Sequence, residues 1–389
     1  MRGTGVVVVT ILLSLAVIPS IPFADATPSS LAPTVNGSVY QGPGPDLYFP
    51  VAGNATLAIP PPGFIYHGAY TPPRSAAGAE DRITKKSIRS YERAVGKKAA
   101  WVYFSNEWSN GIVFPLDTVS VIRESGAIPF IRLIARNDTD QDHVEPVYNL
   151  SRIVAGDFDA DLEPWAQDAR DFGTPVLVEF GTEVNGRWFS WNGYWNGNEA
   201  GPPLFRAAYR HIVGVMDAQG ASNLIWVFHV DCEDDPESYW NRCENYYQGD
   251  DVVDWIGVSV YGPQTPYDRE ARSFSERMNE VYPRLCALSA NKPIAVLEFG
   301  AAAENPRVNQ RLWAKKALAA LTGGRWPRVA GFSWWNEFWE NDNNPRHDTN
   351  MRVQDNPGLS KVFRYALRNS SVLSRPIIVP GSGAGLASG

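Results

Sequence analysis

The sequence has few cysteines and lacks the patterns typical of metal, nucleic-acid and phosphate sites. Only three of its 389 residues are cysteines, Cys232, Cys243 and Cys286, and their spacing matches no zinc site. No run of lysine or arginine occurs and the net charge is −7, so we expect no nucleic-acid partner. No glycine-rich phosphate turn follows the first predicted strand, which argues against a nucleotide-binding sheet. We therefore predict that the protein uses neither a cofactor nor a metal.

Long apolar runs are also scarce. The stretch Val6–Ile18 is apolar, but it is too short to span a bilayer comfortably and two prolines follow it closely. Arg2 precedes it and a small-x-small sequence follows at residues 24–26, which is the pattern of a secretion signal. We predict cleavage near Thr27, a secreted, extracellular chain and no membrane contact after cleavage.

The low and odd number of cysteines constrains their pairing. In a secreted chain, three cysteines imply one pair and one leftover thiol, or no pair at all. Cys232 and Cys243 are eleven residues apart in a long polar segment, so we predict a disulfide between them. Cys286 lies in an apolar helical pattern and is predicted to be a buried thiol.

A regular alternation of elements begins near residue 64. The eight predicted strands, short β-branched or aromatic runs, are Phe64–Tyr70, Trp101–Trp108, Ile128–Ala135, Pro175–Gly181, Leu224–Val230, Asp254–Tyr261, Pro293–Gly300 and Val329–Trp335. The predicted helices between and after them are Glu80–Val95, Leu116–Ser125, Leu162–Phe172, Pro202–Gln219, Arg269–Ser289, Val308–Leu321 and Leu359–Leu367. Eight apolar strands separated by helices favour an α/β fold of the (β/α)8 TIM-barrel type over an open sheet.

These patterns divide the chain into four segments. We predict a signal peptide (residues 1–26), an extension or linker rich in Pro, Gly, Ser and Thr (27–62), a single barrel domain (63–370) and a C-terminal tail (371–389). We also expect the protein to be a monomer.

Carboxylates and aromatic residues stand where the predicted strands end, which is where barrel enzymes place their chemistry. Glu183 follows the fourth strand and Glu298 ends the seventh, while Tyr261 and Trp335 end the sixth and eighth. Glycosidic cleavage requires two carboxylates, one to protonate the leaving oxygen and one to attack or to stabilise the transition state. A lone glutamate at a strand end is equally compatible with a structural salt bridge, but two of them indicate a glycoside hydrolase.

The segment Gly181–Trp191, GTEVNGRWFSW, contains the most specific motif. It resembles the acid/base signature of glycoside hydrolase family 26, whose best known members are secreted β-mannanases. The matching positions are Glu183, Asn185, Gly186, Trp188, Phe189 and Trp191. Three segments resemble strands of the same family and its wider clan: KPIAVLEFG at Lys292–Gly300, DWIGVSVYG at Asp254–Gly262, and Gly331–Asn336. The chain departs from the family pattern at Thr182, where a histidine usually precedes the acid/base glutamate.

The resemblance implies a retaining endo-β-glycanase in which Glu183 is the acid/base and Glu298 the nucleophile. Their carboxyl groups are then expected about 5–5.5 Å apart. Tyr261 is expected to donate a hydrogen bond to Glu298, and Trp335 to form the floor beneath the cleaved sugar. The expected partner is a polysaccharide or oligosaccharide, foremost β-1,4-mannan. A mixed-linkage β-glucanase or xylanase, and a non-catalytic carbohydrate-binding barrel, are the alternatives.

Five further residues are predicted to contact substrate. Trp188 and Trp191 flank Gly and Asn in a loop, which favours sugar platforms over core positions. Trp108 and His67 lie on strands two and one, and His67 is equally compatible with a structural histidine. Asn185 is equally compatible with a sugar contact and with fixing the loop.

Two charged residues are predicted inside the barrel. Alternation back from Glu183 points Glu179 inward on the fourth strand, and alternation on the third strand points Arg132 inward. Since a buried carboxylate without a partner is costly, we predict that Glu179 and Arg132 form an ion pair.

Overall fold

The computed structural model describes residues 55–74 and 80–380, and its centre is a closed barrel of eight parallel strands. The strands are β1 (Ile65–Tyr70), β2 (Trp101–Glu107), β3 (Ile128–Ile134), β4 (Val176–Phe180), β5 (Leu224–Asp231), β6 (Trp255–Tyr261), β7 (Ile294–Gly300) and β8 (Val329–Trp335). β1 pairs with both β2 and β8, which closes the sheet. The predicted (β/α)8 fold is confirmed, and each predicted strand is correct to within one residue at either end.

The helices cover the outside of the barrel. They are α1 (Lys85–Val95), α2 (Leu116–Ser125), α3 (Leu150–Val154), α4 (Asp159–Phe172), α5 (Gly201–Ala218), α6 (Phe274–Leu288), α7 (Gln310–Thr322) and α8 (Pro357–Leu367). The short helix α3 is absent from the sequence prediction. In the described chain, β5 and β6 are joined without an α-helix, through two 3-10 turns at Tyr239–Asn241 and Cys243–Tyr246.

Two helices begin five residues later than predicted because capping residues determine where they start. The Thr84 side chain accepts a hydrogen bond from the backbone of Ser87, whose own side chain reciprocates, and α1 therefore begins at Lys85. Ser273 and Glu276 form the same kind of capping box at the start of α6. Each box pairs backbone N–H groups that the first helical turn leaves without partners.

Trp101 lies in the barrel interior near the start of the strands, with the ring of Trp255 centred 6.5 Å away. The Trp101 indole N–H donates to the Ser333 hydroxyl at 2.6 Å, and its ring occupies the space above two glycines. A Cβ on Gly68 would lie 2.2 Å from Trp101 Nε1, and one on Gly331 would lie 2.1 Å from its Cη2. No side chain other than hydrogen therefore fits at either position.

We expect Gly68→Ala to lower the free energy of unfolding by about 1–3 kcal/mol, because the new methyl group overpacks the barrel against Trp101. Chemical denaturation measures this change. The matched control is Gly214→Ala in α5, where an added Cβ has no neighbour within 4 Å and alanine favours the helix. Equal stability of Gly68→Ala and the wild type would contradict the packing described here.

Short strands lie outside the barrel. Ala55–Leu57 pairs antiparallel with Ile378–Pro380, and Val372–Leu373 continues the sheet beside the start of β1. These strands lie in the predicted extension (27–62) and the predicted tail (371–389). Strand pairing therefore continues beyond both predicted limits of the barrel domain, residues 63 and 370. The predicted signal peptide (1–26) lies outside the described residues. No helix in the described part is long and apolar enough to cross a membrane.

Candidate active site

Glu183 and Glu298 face each other at the end of the barrel where the strands finish. Glu183 lies in the turn after β4 with a positive φ of 48°, a conformation that is uncommon for a residue with a side chain. Glu298 lies within β7, and both side chains are buried. One carboxylate oxygen of each lies within 4.8 Å of the other. The indole N–H of Trp188 donates to Glu183 Oε2 at 2.7 Å.

Tyrosines and an arginine surround the Glu298 carboxylate. Tyr261, as predicted, donates to Oε2 at 2.8 Å, and the Tyr103 hydroxyl lies 3.2 Å from Oε1. Arg132 approaches Oε1 at 3.8 Å. Burial raises the pKa of the Glu298 carboxyl to about 7, against the opposing effect of Arg132. The group therefore changes its charge near neutral pH.

A buried ion cluster lies beneath this pair. The predicted pair of Arg132 and Glu179 is confirmed at 3.6 Å, although the nearest carboxylate to Arg132 is that of Glu80 at 2.9 Å. His229 of β5 lies 3.0 Å from Glu179 and 2.9 Å from the Ser259 hydroxyl. Burial lowers the pKa of His229 and the Glu179 carboxylate raises it, with a net increase. The cluster therefore places two basic side chains, Arg132 and His229, below the candidate carboxylates and pairs them with the carboxylates of Glu80 and Glu179.

An open cleft of about 920 Å³ lies above the pair. The faces of Trp188, Tyr261 and Trp335 line it together with acidic side chains that include Glu183 and Glu298. Acceptor oxygens and flat aromatic faces match the two surfaces of a sugar, its hydroxyl groups and its C–H faces. The arrangement is suited to binding a carbohydrate across two closely spaced carboxyl groups.

Comparison with known protein families identifies this architecture. The profile described as "Glycosyl hydrolase family 26" matches residues 137–356, which is more than half of the chain. The chain belongs to glycosyl hydrolase family 26.

Individual relatives within the family are distant. Endoglucanase H of Acetivibrio thermocellus is 26% identical over 289 residues, which cover 73% of this chain and 29% of that protein. A mannan endo-1,4-β-mannosidase of Bacillus subtilis is 27% identical over 232 residues, 56% of this chain and 58% of that protein. The chain thus spans less than two thirds of the length of both curated relatives. The structure of a GH26 β-mannanase from Bacteroides ovatus shows the same fold, with a TM-score of 0.57 and 17% sequence identity. The superposition covers 80% of this chain and 90% of that chain.

Trp191 and Trp108 were predicted to contact substrate, but the structure buries both, and neither lines the cleft. Trp191 of the family 26 signature is buried, stacks on Phe189 with ring centroids 4.5 Å apart, and donates its indole N–H to the Thr182 carbonyl at 2.9 Å. Trp108 has no exposed surface and packs against Phe180 and two further aromatic rings. Both rings support the loops from below, whereas Trp188 and Trp335 reach the cleft.

Asn185 and His67, two further predicted substrate contacts, are likewise fully buried and do not line the cleft. The fully buried Asn185 amide donates to the backbone carbonyls of Asp231 and Glu233 and accepts from the Asp231 backbone N–H at 2.7 Å. It therefore fixes the turn that carries Glu183. His67 is fully buried near the start of β1 and bonds to the Tyr91 hydroxyl at 2.9 Å, and burial lowers its pKa to about 4.

The predicted disulfide is absent. Cys232 and Cys243 are both free and buried, and burial raises the pKa of both thiols. The loop that contains them is anchored instead by charge, since Arg284 bonds to Asp234 and Glu244 at 2.7 and 2.8 Å. Cys286 is free as predicted but only partly buried.

The structure adds residues that the sequence analysis missed. At Thr182, where the family usually has histidine, the hydroxyl donates to Glu179 at 2.5 Å. The nearby imidazole belongs to His229 instead, whose side chain comes within 4.8 Å of both candidate glutamates. Asp231 and Glu337 also line the cleft. Both could have been found from the sequence, because each is an acidic residue near the end of an apolar strand. Asp231 is the last residue of β5, and Glu337 follows β8 by two residues.

Proposed function

We propose that the protein is a retaining β-glycanase that works by double displacement, with Glu183 as the acid/base and Glu298 as the nucleophile. The separation of the two carboxyl groups supports this proposal most directly. Their nearest oxygens lie within 4.8 Å, whereas retaining enzymes have carboxyl groups about 5–5.5 Å apart and inverting enzymes about 6.5–9.5 Å. A gap this short favours direct attack by Glu298 over attack by a water molecule that Glu298 activates.

Each step of the reaction then has a group to perform it. The Glu298 carboxylate attacks the anomeric carbon while Glu183 gives its proton to the departing glycosidic oxygen. The resulting glycosyl ester is hydrolysed by a water molecule whose proton passes to Glu183, which restores both groups. Tyr261 holds Glu298 Oε2, and the Trp188 N–H holds one oxygen of Glu183, so that its other oxygen faces the substrate.

The proposed substrate is a β-1,4-mannan cleaved within the chain. The acid/base motif around Glu183 resembles that of β-mannanases, and the Bacillus subtilis relative is named for mannan endo-hydrolysis. A β-glucan is the second candidate, because the match to Endoglucanase H covers the larger share of this chain, 73%. A xylan follows as a third, through a 28% identical β-1,3-xylanase of Vibrio over 149 residues.

Release of reducing ends from a panel of mannan, mixed-linkage β-glucan and xylans tests this proposal. We expect the largest kcat/KM on mannan, with a broad distribution of product sizes early in the reaction. Preferred hydrolysis of β-glucan would favour the second candidate. Binding of any of these polysaccharides without release of reducing ends would indicate a carbohydrate-binding barrel and would overturn the proposal.

The pH dependence of the reaction should reflect the buried nucleophile. Because the pKa of Glu298 is about 7, acid protonates the attacking carboxylate, and kcat/KM should fall about tenfold for each pH unit below that value. An activated aryl glycoside isolates this effect, since its leaving group needs little protonation from Glu183. Circular dichroism over the same range controls for unfolding. A rate that stays constant from about pH 5 to pH 8 would contradict the assignment of Glu298.

We further propose that the protein is secreted as a monomer. The apolar stretch and small-x-small sequence at the N-terminus support cleavage near Thr27. Sequencing the N-terminus of protein recovered from the medium, and light scattering of the same sample, test the two parts separately. Retention in the cell with an intact N-terminus would contradict secretion.

A further inference from the structure

A third buried carboxyl group lies at the cleft, and the proposed reaction does not use it. Glu337 follows β8 by two residues, is only 6% exposed, and lines the cleft beside Trp335. Its backbone carbonyl accepts from Met351 N–H at 2.9 Å, which holds the segment in place. The side chain is therefore fixed at the wall of the site and does not reach into solvent.

Only one of the two Glu337 carboxyl oxygens forms a hydrogen bond with the described part of the protein. Within residues 55–74 and 80–380, its one hydrogen-bond donor is the Trp335 indole N–H, at 2.9 Å from Oε2. The other oxygen, Oε1, has no protein partner in this part of the chain. Behind Trp335, the buried Tyr70 hydroxyl likewise has no partner in the described residues, and its ring packs on Trp335 with centroids 4.1 Å apart. Glu337 Oε1 and the Tyr70 hydroxyl are thus two oxygen atoms beside Trp335 without a hydrogen-bond partner among the described residues.

The surroundings of Glu337 favour its neutral form. The carboxylates of Glu80 and Glu298 are its acidic neighbours. Two cations, Arg132 and Arg352, also act on it, but Arg132 is bonded to Glu80 at 2.9 Å and Arg352 to Asp355 at 3.3 Å. Burial, with the repulsion from these carboxylates, raises the pKa of Glu337 to about 8. A neutral carboxyl group has an O–H donor that an ionised one lacks.

The position of Glu337 determines which part of a substrate it can reach. β8 pairs with β7, which carries Glu298, and with β1, whereas Glu183 lies after β4 on the opposite wall. In the proposed mechanism Glu298 bonds to the sugar on the glycone side of the scissile bond and Glu183 protonates the aglycone oxygen. Glu337 and the Trp335 ring therefore lie on the glycone side.

We propose that Glu337 is a substrate-binding residue that donates a hydrogen bond, as a neutral carboxylic acid, to a sugar hydroxyl group on the glycone side of the cleaved bond. This inference rests on the proposed function. The protonated Glu337 carboxyl group supplies a hydrogen-bond donor for a sugar hydroxyl group, and its ionisation at high pH should weaken substrate binding. A glycan that carries a carboxylate at that position should bind poorly.

Two substitutions separate donation from negative charge. Glu337→Gln keeps the size, the acceptor for Trp335 and a donor that does not titrate. It should retain kcat/KM within about threefold near pH 6 and exceed the wild type above about pH 8, mainly through a lower KM. Glu337→Ala loses the donor and should lose roughly tenfold to a hundredfold in kcat/KM at pH 6. Glu163→Gln, at an exposed position on the outer helix α4, controls for the change in charge and should match the wild type at both pH values.

Three results would overturn the inference: an equal loss in Glu337→Gln and Glu337→Ala, no loss in either, or an alkaline profile of Glu337→Gln identical to that of the wild type. Melting temperatures of the variants show whether a loss comes from misfolding, and Glu337→Gln, which keeps the bond to Trp335, serves as the folded comparison. If the wild type hydrolyses no glycan, the proposed function itself fails. If it hydrolyses one and any of the three results is found, only this inference fails.

Discussion

Glu298→Ala should abolish hydrolysis of every substrate, with a loss on the order of 10⁴-fold or more in kcat. The nucleophile takes part in both chemical steps, so neither an activated leaving group nor a longer substrate can compensate for its absence. The steady-state rate on a polysaccharide and on an activated aryl glycoside measures the loss. Removing the carboxylate also leaves a space beneath the anomeric carbon, bordered by Tyr103 and Tyr261.

That space permits a stricter test of the role of Glu298. A small anion such as azide or formate can enter it and attack an activated β-glycoside, which restores some turnover and gives a product of inverted configuration. Glu298→Gln fills the space and serves as the matched control, because it is equally inactive but should not be rescued. Substantial activity of Glu298→Ala on its own, or a wild-type enzyme whose first product is the inverted anomer, would contradict the assignment.

Glu183→Ala should have an effect that depends on the leaving group. General acid catalysis contributes about 10²–10⁴-fold, so hydrolysis of a polysaccharide, whose sugar alkoxide leaves poorly, should fall by that amount. With an activated aryl glycoside, the first step needs little protonation and the glycosyl intermediate should form nearly as fast as in the wild type. A pre-steady-state burst of phenol release measures this directly, because the second step still lacks its base.

Trp188→Phe is the matched control for this prediction. It keeps an aromatic face in the cleft but removes the N–H that bonds to Glu183 Oε2 at 2.7 Å. We expect a smaller loss than in Glu183→Ala and a shifted alkaline limb of the pH profile. Equal losses on both kinds of substrate in Glu183→Ala would mean that this residue does not protonate the leaving group.

The sequence was sufficient to predict the barrel because its signal repeats eight times. Each strand is an apolar run with helices on one side and the barrel interior on the other, so its limits are marked by changes in composition. The capped helices were harder, since the start of α1 depends on the side chain of Thr84 and not on periodicity. The connection between β5 and β6, two 3-10 turns held by Arg284 and its acidic partners, has no periodic pattern to detect.

For the loop residues of the site, the sequence indicated their position along the chain but not the direction in which their side chains point. Trp188 and Trp191 lie three residues apart in one motif, yet one lines the cleft and the other packs beneath it. The disulfide prediction failed for a similar reason, because spacing along the chain does not bring two thiols together. The pair of Arg132 and Glu179 was predictable, since strand alternation does determine direction inside a closed barrel.

The pairing of Ala55–Leu57 with Ile378–Pro380 has a consequence for how the enzyme can be attached to other objects. Both segments lie beside the start of β1, and the cleft lies where the strands end. The two ends of the described chain therefore leave the barrel together, on the face opposite the substrate. A tether, a fused module or a solid support joined at Ala55 or Pro380 is then expected to leave the cleft open, which the proposed cleavage within a long polymer requires.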